Sequence, residues 1–138
     1  MTGSIHATAV SIAGQGVLLL GPPGSGKSDL ALRLIDRGAL LIADDRVLVG
    51  PGVPPLLSAP ATIAGKIEVR GVGIVDMPHV AEVPAALAVR LDAVSERLPE
   101  PQRFALGDGS VPLIHVAPFE ASAVLKVELV LAHGLPNG

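Results

Sequence analysis

The chain has no cysteine, no tryptophan and no tyrosine, and only two phenylalanines, Phe104 and Phe119. Without cysteine there is no disulfide, no thiolate nucleophile and no cysteine-based zinc site. With so few aromatics, stacking on a row of unpaired bases is nearly unavailable, and the ten basic residues form no block that would track a phosphate backbone. The net charge of −3 also points away from nucleic acid and from an anionic membrane. Long apolar runs are missing as well. Hydrophobic residues make up 49% of the chain and mean hydropathy is +0.57, yet runs such as Val17 to Leu20 and Ala39 to Ala43 are only strand-sized. A membrane span needs about 20 apolar residues in a row. No Lys or Arg precedes Lys27, so the start lacks the basic region of a secretory signal. A cytoplasmic protein is expected.

Glycine and proline are plentiful, and they cut the chain into short elements. Its 138 residues fit one domain, 1–138, long enough to bury a real core. His6 to Ile12 and Val17 to Leu20 read as two strands around a turn at Ala13 to Gly16. Lys27 to Arg37 is free of Gly and Pro, with Leu30, Leu34, Ala31 and Ile35 spaced for one helical face and Gly38 at the stop. Ala39 to Val49 reads as the next strand, with Asp44-Asp45-Arg46 inside it. Gly50 to Pro60 reads as loop. Lys66 to Val69 and Val72 to Val75 are strand-like. Pro84 to Leu98 is ambiguous, because the spacing of Val83, Leu87 and Leu91 allows a helix. Pro99 to Gly109 reads as loop, and Val111 to Val116 and Val124 to Leu131 as closing strands. The expected class is α/β, a mixed sheet core with few helices.

Gly21-Pro22-Pro23-Gly24-Ser25-Gly26-Lys27-Ser28 matches the phosphate-loop pattern of Gly, four residues, Gly-Lys-Ser. Glycines let successive N–H groups converge on phosphate oxygens, and the following helix points its positive end at the same anion. Lys27 can bridge the terminal phosphates of ATP, and the Ser28 hydroxyl can ligate Mg²⁺. A strand before the loop and a helix after it supply the context that the motif needs. The plainer alternative is a glycine-rich turn with an exposed lysine.

Asp44 and Asp45 end the apolar run after the loop helix. One carboxylate could hold Mg²⁺ and the other could accept a proton from an attacking hydroxyl. Neighbours on a strand point to opposite faces, so the two should differ in role. The plainer alternative is a strand end paired with Arg46.

Gly26 to Gly38 followed by Ile42-Ala43-Asp44-Asp45-Arg46-Val47 resembles HPr kinase/phosphorylase. So does Ile67-Glu68-Val69-Arg70-Gly71-Val72-Gly73-Ile74-Val75-Asp76, which is similar to that family's second signature. The spacing of His6 ahead of the loop also matches. The resemblance is to a short form equivalent to the catalytic domain, related in fold to phosphoenolpyruvate carboxykinase. It implies an ATP-dependent kinase that phosphorylates a serine of HPr, the small phosphocarrier of the sugar phosphotransferase system, and in many members removes that phosphate by phosphorolysis. By position it implies Asp44 as the catalytic base with His6 beside it. It implies Ser28, Asp45 and Glu68 as magnesium residues, and Lys27 with the loop backbone on the β- and γ-phosphates. Arg70, Gly71, Val72, Gly73 and Asp76 would meet HPr. Against the long members, the short form is expected to lack their N-terminal domain and C-terminal helices, and there is no arginine between Phe119 and Val127 where they place one. A homo-oligomer is left open.

Two other classes compete with the protein kinase. A small-molecule kinase would normally add an arginine-rich lid, and none is visible. A non-catalytic ATP-binding sensor needs the loop but not the base.

Overall fold

The computed structural model describes residues 3–92 and 100–134. Two buried strands carry the phosphate loop. β1 (Gly3–Ile5) is short. β2 (Thr8–Ile12) and β3 (Gln15–Leu20) then form an antiparallel hairpin. Its turn holds Ala13 at φ 52 and Gly14 at φ 80, left-handed backbone that Gly adopts freely. After the loop comes α1 (Lys27–Asp36), which buries Leu30, Ala31, Leu34 and Ile35 on one face. β4 (Leu40–Ala43) returns antiparallel beside β2.

Asp44 to Arg46 do not continue that strand. The Arg46 N–H donates to the Asp44 carbonyl at 2.8 Å, and Asp45 between them has φ 69. An i to i+2 hydrogen bond around a positive-φ residue is a γ-turn, and Asp is among the few side chains that tolerate that backbone. The expected single strand is therefore two, and β5 (Val47–Val49) pairs elsewhere, with β1 on one side and β6 (Leu56–Ser58) on the other. β6 lies inside the stretch expected to be all loop. The prolines around it end at Pro55 and resume at Pro60, leaving three residues free to join a ladder.

A 3-10 turn (Ala61–Ile63) leads to a separate hairpin of β7 (Lys66–Val69) and β8 (Gly73–Asp76). β9 (Glu82–Leu91) settles the ambiguous region as strand up to Leu91, while residues 93–98 of that reading lie outside the described residues. A spacing of four fits a strand face as well as a helix face, which is why Val83, Leu87 and Leu91 could not decide. β10 (Gln102–Leu106) and β11 (Gly109–Val116) form a hairpin across the two-residue turn Gly107-Asp108, where a loop was expected. The last expected strand is instead α2 (Ala123–His133). It buries Ala123, Val124 and Val127 at helical spacing, and its Val residues had suggested a strand.

Nine of these strands form one sheet, in which β9 is the shared member. Its first residues pair antiparallel with β6, and its remainder runs parallel to both β3 and β11. Alternate residues of β3 feed two cores. Val17 and Leu19 face a cluster with Leu30, Leu34, Leu87 and Val127 under the helices. Leu18 and Leu20 face a second cluster with Ile42, Val47, Leu57 and Ala88. The outcome is the expected mixed α/β sheet with few helices.

Candidate active site

The loop between β3 and α1 is shaped by Gly24 at φ 81 and Gly26 at φ 101. Gly26 caps α1 with no side-chain hydrogen bond, so no side chain caps the first N–H groups of the helix, although Asp29 lies in its first turn. The Lys27 ammonium arches back over the loop and donates to the carbonyls of Gly21 at 2.6 Å and Pro22 at 3.1 Å. The Ser25 hydroxyl is buried and has no partner among the described residues. An orphaned hydroxyl, an uncapped helix start and an ammonium held over glycine backbone together fit an oxyanion such as a polyphosphate.

Strand register assembles the rest. Ala9 lies opposite Ala43 in the β2–β4 ladder, and Ile5 lies opposite Val47 in the β1–β5 ladder. The segment His6-Ala7-Thr8 therefore runs alongside Asp44-Asp45-Arg46. Asp44 is buried and accepts three hydrogen bonds: from the Ser28 hydroxyl at 2.7 Å, the Thr8 hydroxyl at 3.0 Å and the Glu68 main-chain N–H at 2.9 Å. Asp45 is thrown outward by the γ-turn. Its carboxylate is 3.5 Å from the His6 imidazole, and both side chains are about two-thirds or more exposed.

The two aspartates thus differ in their surroundings. His6 stands beside Asp45 rather than Asp44, and the aspartate hydrogen-bonded to Ser28 is Asp44 rather than Asp45. Asp45 has positive φ and lies beyond the end of β4, so plain strand alternation does not hold across this pair. Glu68 is joined to this group through its main chain, and its side chain is exposed. The side-chain atoms that meet at Ser28, Thr8 and Asp44 are oxygens, which suits a hard cation such as Mg²⁺.

The second signature lies on the β7–β8 hairpin. Arg70, Gly71, Val72, Gly73 and Asp76 are all exposed there, with Gly71 at φ 83 in the turn and Gly73 at φ 119 at the start of β8. Lys66 bridges to Asp76 at 2.9 Å, and that contact holds the Asp76 carboxyl below the ordinary carboxylate range. Thr8 was missed in the sequence. Nothing local distinguishes it from any other polar residue in a strand, because its role arises from pairing with a segment 36 positions away.

Comparison with known proteins bears on this arrangement. The HPr Serine kinase C-terminal domain family matches residues 1–86. The chain belongs to that family. Among curated relatives, HPr kinase/phosphorylase of Caldicellulosiruptor bescii is 45% identical over 76 residues, which is 54% of this chain and 24% of that protein. The HPr kinase/phosphorylase of Clostridium tetani is 39% identical over 87 residues, 62% of this chain and 28% of that protein. The match spans about a quarter of these curated relatives. Among solved structures, the Hpr(Ser) kinase/phosphatase from Coxiella burnetii superposes with a TM-score of 0.83 at 28% identity, covering 95% of each chain. The HPr kinase fold thus extends beyond residue 86 to β9, β11 and α2.

Proposed function

We propose that this chain is an ATP-dependent protein-serine kinase acting on HPr or a paralogous phosphocarrier, and that it uses Mg²⁺. The observation that carries the reading is the pair of aspartates. A buried one is hydrogen-bonded to the serine of the phosphate loop, and an exposed one faces a histidine.

In this reading Lys27 and the loop backbone hold the β- and γ-phosphates. Ser28 and Asp44 would hold the magnesium, with Glu68 within reach, and the ion when bound neutralises charge on the phosphate oxygens. Asp45 is the base. Its carboxylate takes the proton from the HPr serine hydroxyl as the serine oxygen bonds to the γ-phosphorus and the bond to the β-phosphate breaks. The exposure of Asp45 favours this assignment, because a protein substrate can only reach a base that is open at the surface. His6 orients that carboxylate. If inorganic phosphate attacks the phosphoserine instead, Asp45 returns the proton, which is the phosphorylase direction carried in the names of the curated relatives. The β7–β8 hairpin, with Val72 and Ile74 nearly three-quarters exposed, would meet the phosphocarrier.

The test is phosphorylation of HPr by the purified chain with Mg²⁺ and ATP, read by mass spectrometry. The wild type should yield phosphoserine. Asp45→Asn should slow the reaction about 10²- to 10⁴-fold while ATP still binds. An Asp45→Asn variant with unchanged turnover would remove Asp45 as the base. No phosphate on HPr, with ATP binding intact, would move the reading to a small-molecule kinase or a nucleotide sensor.

A further inference from the structure

Three parallel strands deliver their carboxyl ends to one edge of the sheet. Leu20 of β3 lies opposite Arg90 of β9, and Val116 of β11 lies opposite Leu91. The phosphate loop leaves β3 at this edge, and the segment 117–122 leaves β11 beside it. Ligands of open α/β sheets bind outside such strand ends.

The segment after β11 is tied to the loop helix. The Arg33 guanidinium on α1 donates to the carbonyl of Pro118, and to that of Glu120 at 3.4 Å, while its Nε holds Asp29 at 3.1 Å. These contacts fix Phe119 between them. Its side chain is 72% exposed, so it contributes little to the core. Yet its ring edge comes so close to the phosphate loop that a Cβ on Gly26 would lie 3.0 and 3.2 Å from two ring carbons. Phe104, the chain's other aromatic, is half-buried against the second core cluster. The one open aromatic is therefore held, by a charged residue of the loop helix, at the lip of the phosphate loop.

We propose that Phe119 is the base-contacting wall of the nucleotide site. Its exposed ring face would stack on the purine of a nucleoside triphosphate whose phosphates lie in the loop. This rests on the nucleotide-binding reading above and names a residue that sets how the nucleoside, rather than the phosphate, is held. Stacking uses the ring face that every base possesses, so one phenylalanine gives affinity with little choice between adenine and guanine.

The experiment separates the nucleoside from its phosphates. Wild type, Phe119→Ala and Phe119→Trp are titrated with ATP and with inorganic tripolyphosphate in the presence of Mg²⁺, by calorimetry. Phe119→Ala should weaken ATP roughly 5- to 150-fold, the range for loss of one aromatic stack, and leave tripolyphosphate within about twofold. Phe119→Trp should restore ATP affinity. As the only tryptophan in the chain, it should also change emission with ATP and not with tripolyphosphate. Equal weakening of both ligands would mean that the ring only packs against the loop, and no weakening of either would mean that it does nothing there. Either result overturns the proposal. A wild type that binds neither ligand would overturn the nucleotide reading and this one with it. Unchanged thermal unfolding of the variants shows that folding is intact, as expected for so exposed a side chain.

Discussion

The residue that ties this site together is Asp44. Two hydroxyls and one main-chain N–H point at a carboxylate that has almost no contact with water. Removing it leaves three donors with no acceptor, and an unsatisfied buried polar group costs about 1–3 kcal/mol. Asp44→Ala should therefore lower unfolding stability by at least that amount, measured in denaturant. Asp44→Asn keeps the shape but loses the charge. It should raise the Mg²⁺ concentration needed for half-maximal ATP binding about tenfold or more, while Asp45→Asn leaves that requirement unchanged. If the two variants shift the Mg²⁺ requirement equally, the division of labour between the aspartates is wrong. At this scale the loop residues were legible because Gly21 to Ser28 are contiguous and each position has its own chemical reason. The surroundings of Asp44 and Asp45 were not legible. The pair contains a positive φ, which period-two reasoning along a strand cannot foresee.

At the scale of elements, local pattern failed where one spacing served two periods or where short ladders were supplied by distant partners. α2 looked like a strand because its Val residues favour strands and packing overrode that preference, and β6 and β10 looked like loop because prolines and glycines surround them. α1 was legible because Leu30, Ala31, Leu34 and Ile35 fit one helical face and Gly38 follows. The β7–β8 hairpin was also legible, and it carries its own prediction. Lys66 lies opposite Asp76 in the ladder, and its hydrogen bond and charge lower the Asp76 carboxyl. A depressed carboxyl contributes stability that is present above its unfolded value and is lost as pH falls through its folded value. The cross-strand contact is therefore intact at neutral pH and disappears only below the ordinary carboxylate range. Lys66→Ala should move the Asp76 titration upward, toward an ordinary aspartate, followed by carbonyl-carbon NMR. An unchanged titration would mean that the pair does not form in solution.

At the scale of the molecule, the sheet that carries the site has one crowded seam. β9 pairs with β6 at its start and with β3 beyond, and Gly16 of β3 sits where the three strands meet. A Cβ there would lie 2.8 Å from the Pro84 carbonyl and 3.0 Å from a Leu57 methyl. The methyl can move, but the carbonyl is main chain locked in the β6–β9 ladder, so the strands themselves must separate. On one side of the seam is β3 with the phosphate loop. On the other are β6 and β5, and the β5 register with β1 sets His6 beside Asp45. Gly16→Ala should thus cost about 1–3 kcal/mol, the range for inserting a methyl into a filled core. It should lower the midpoint of unfolding by circular dichroism and the midpoint for loss of ATP binding together, because the phosphate loop leaves a strand of that sheet. If ATP binding survived past the loss of sheet signal, the phosphate loop would be a unit independent of the sheet.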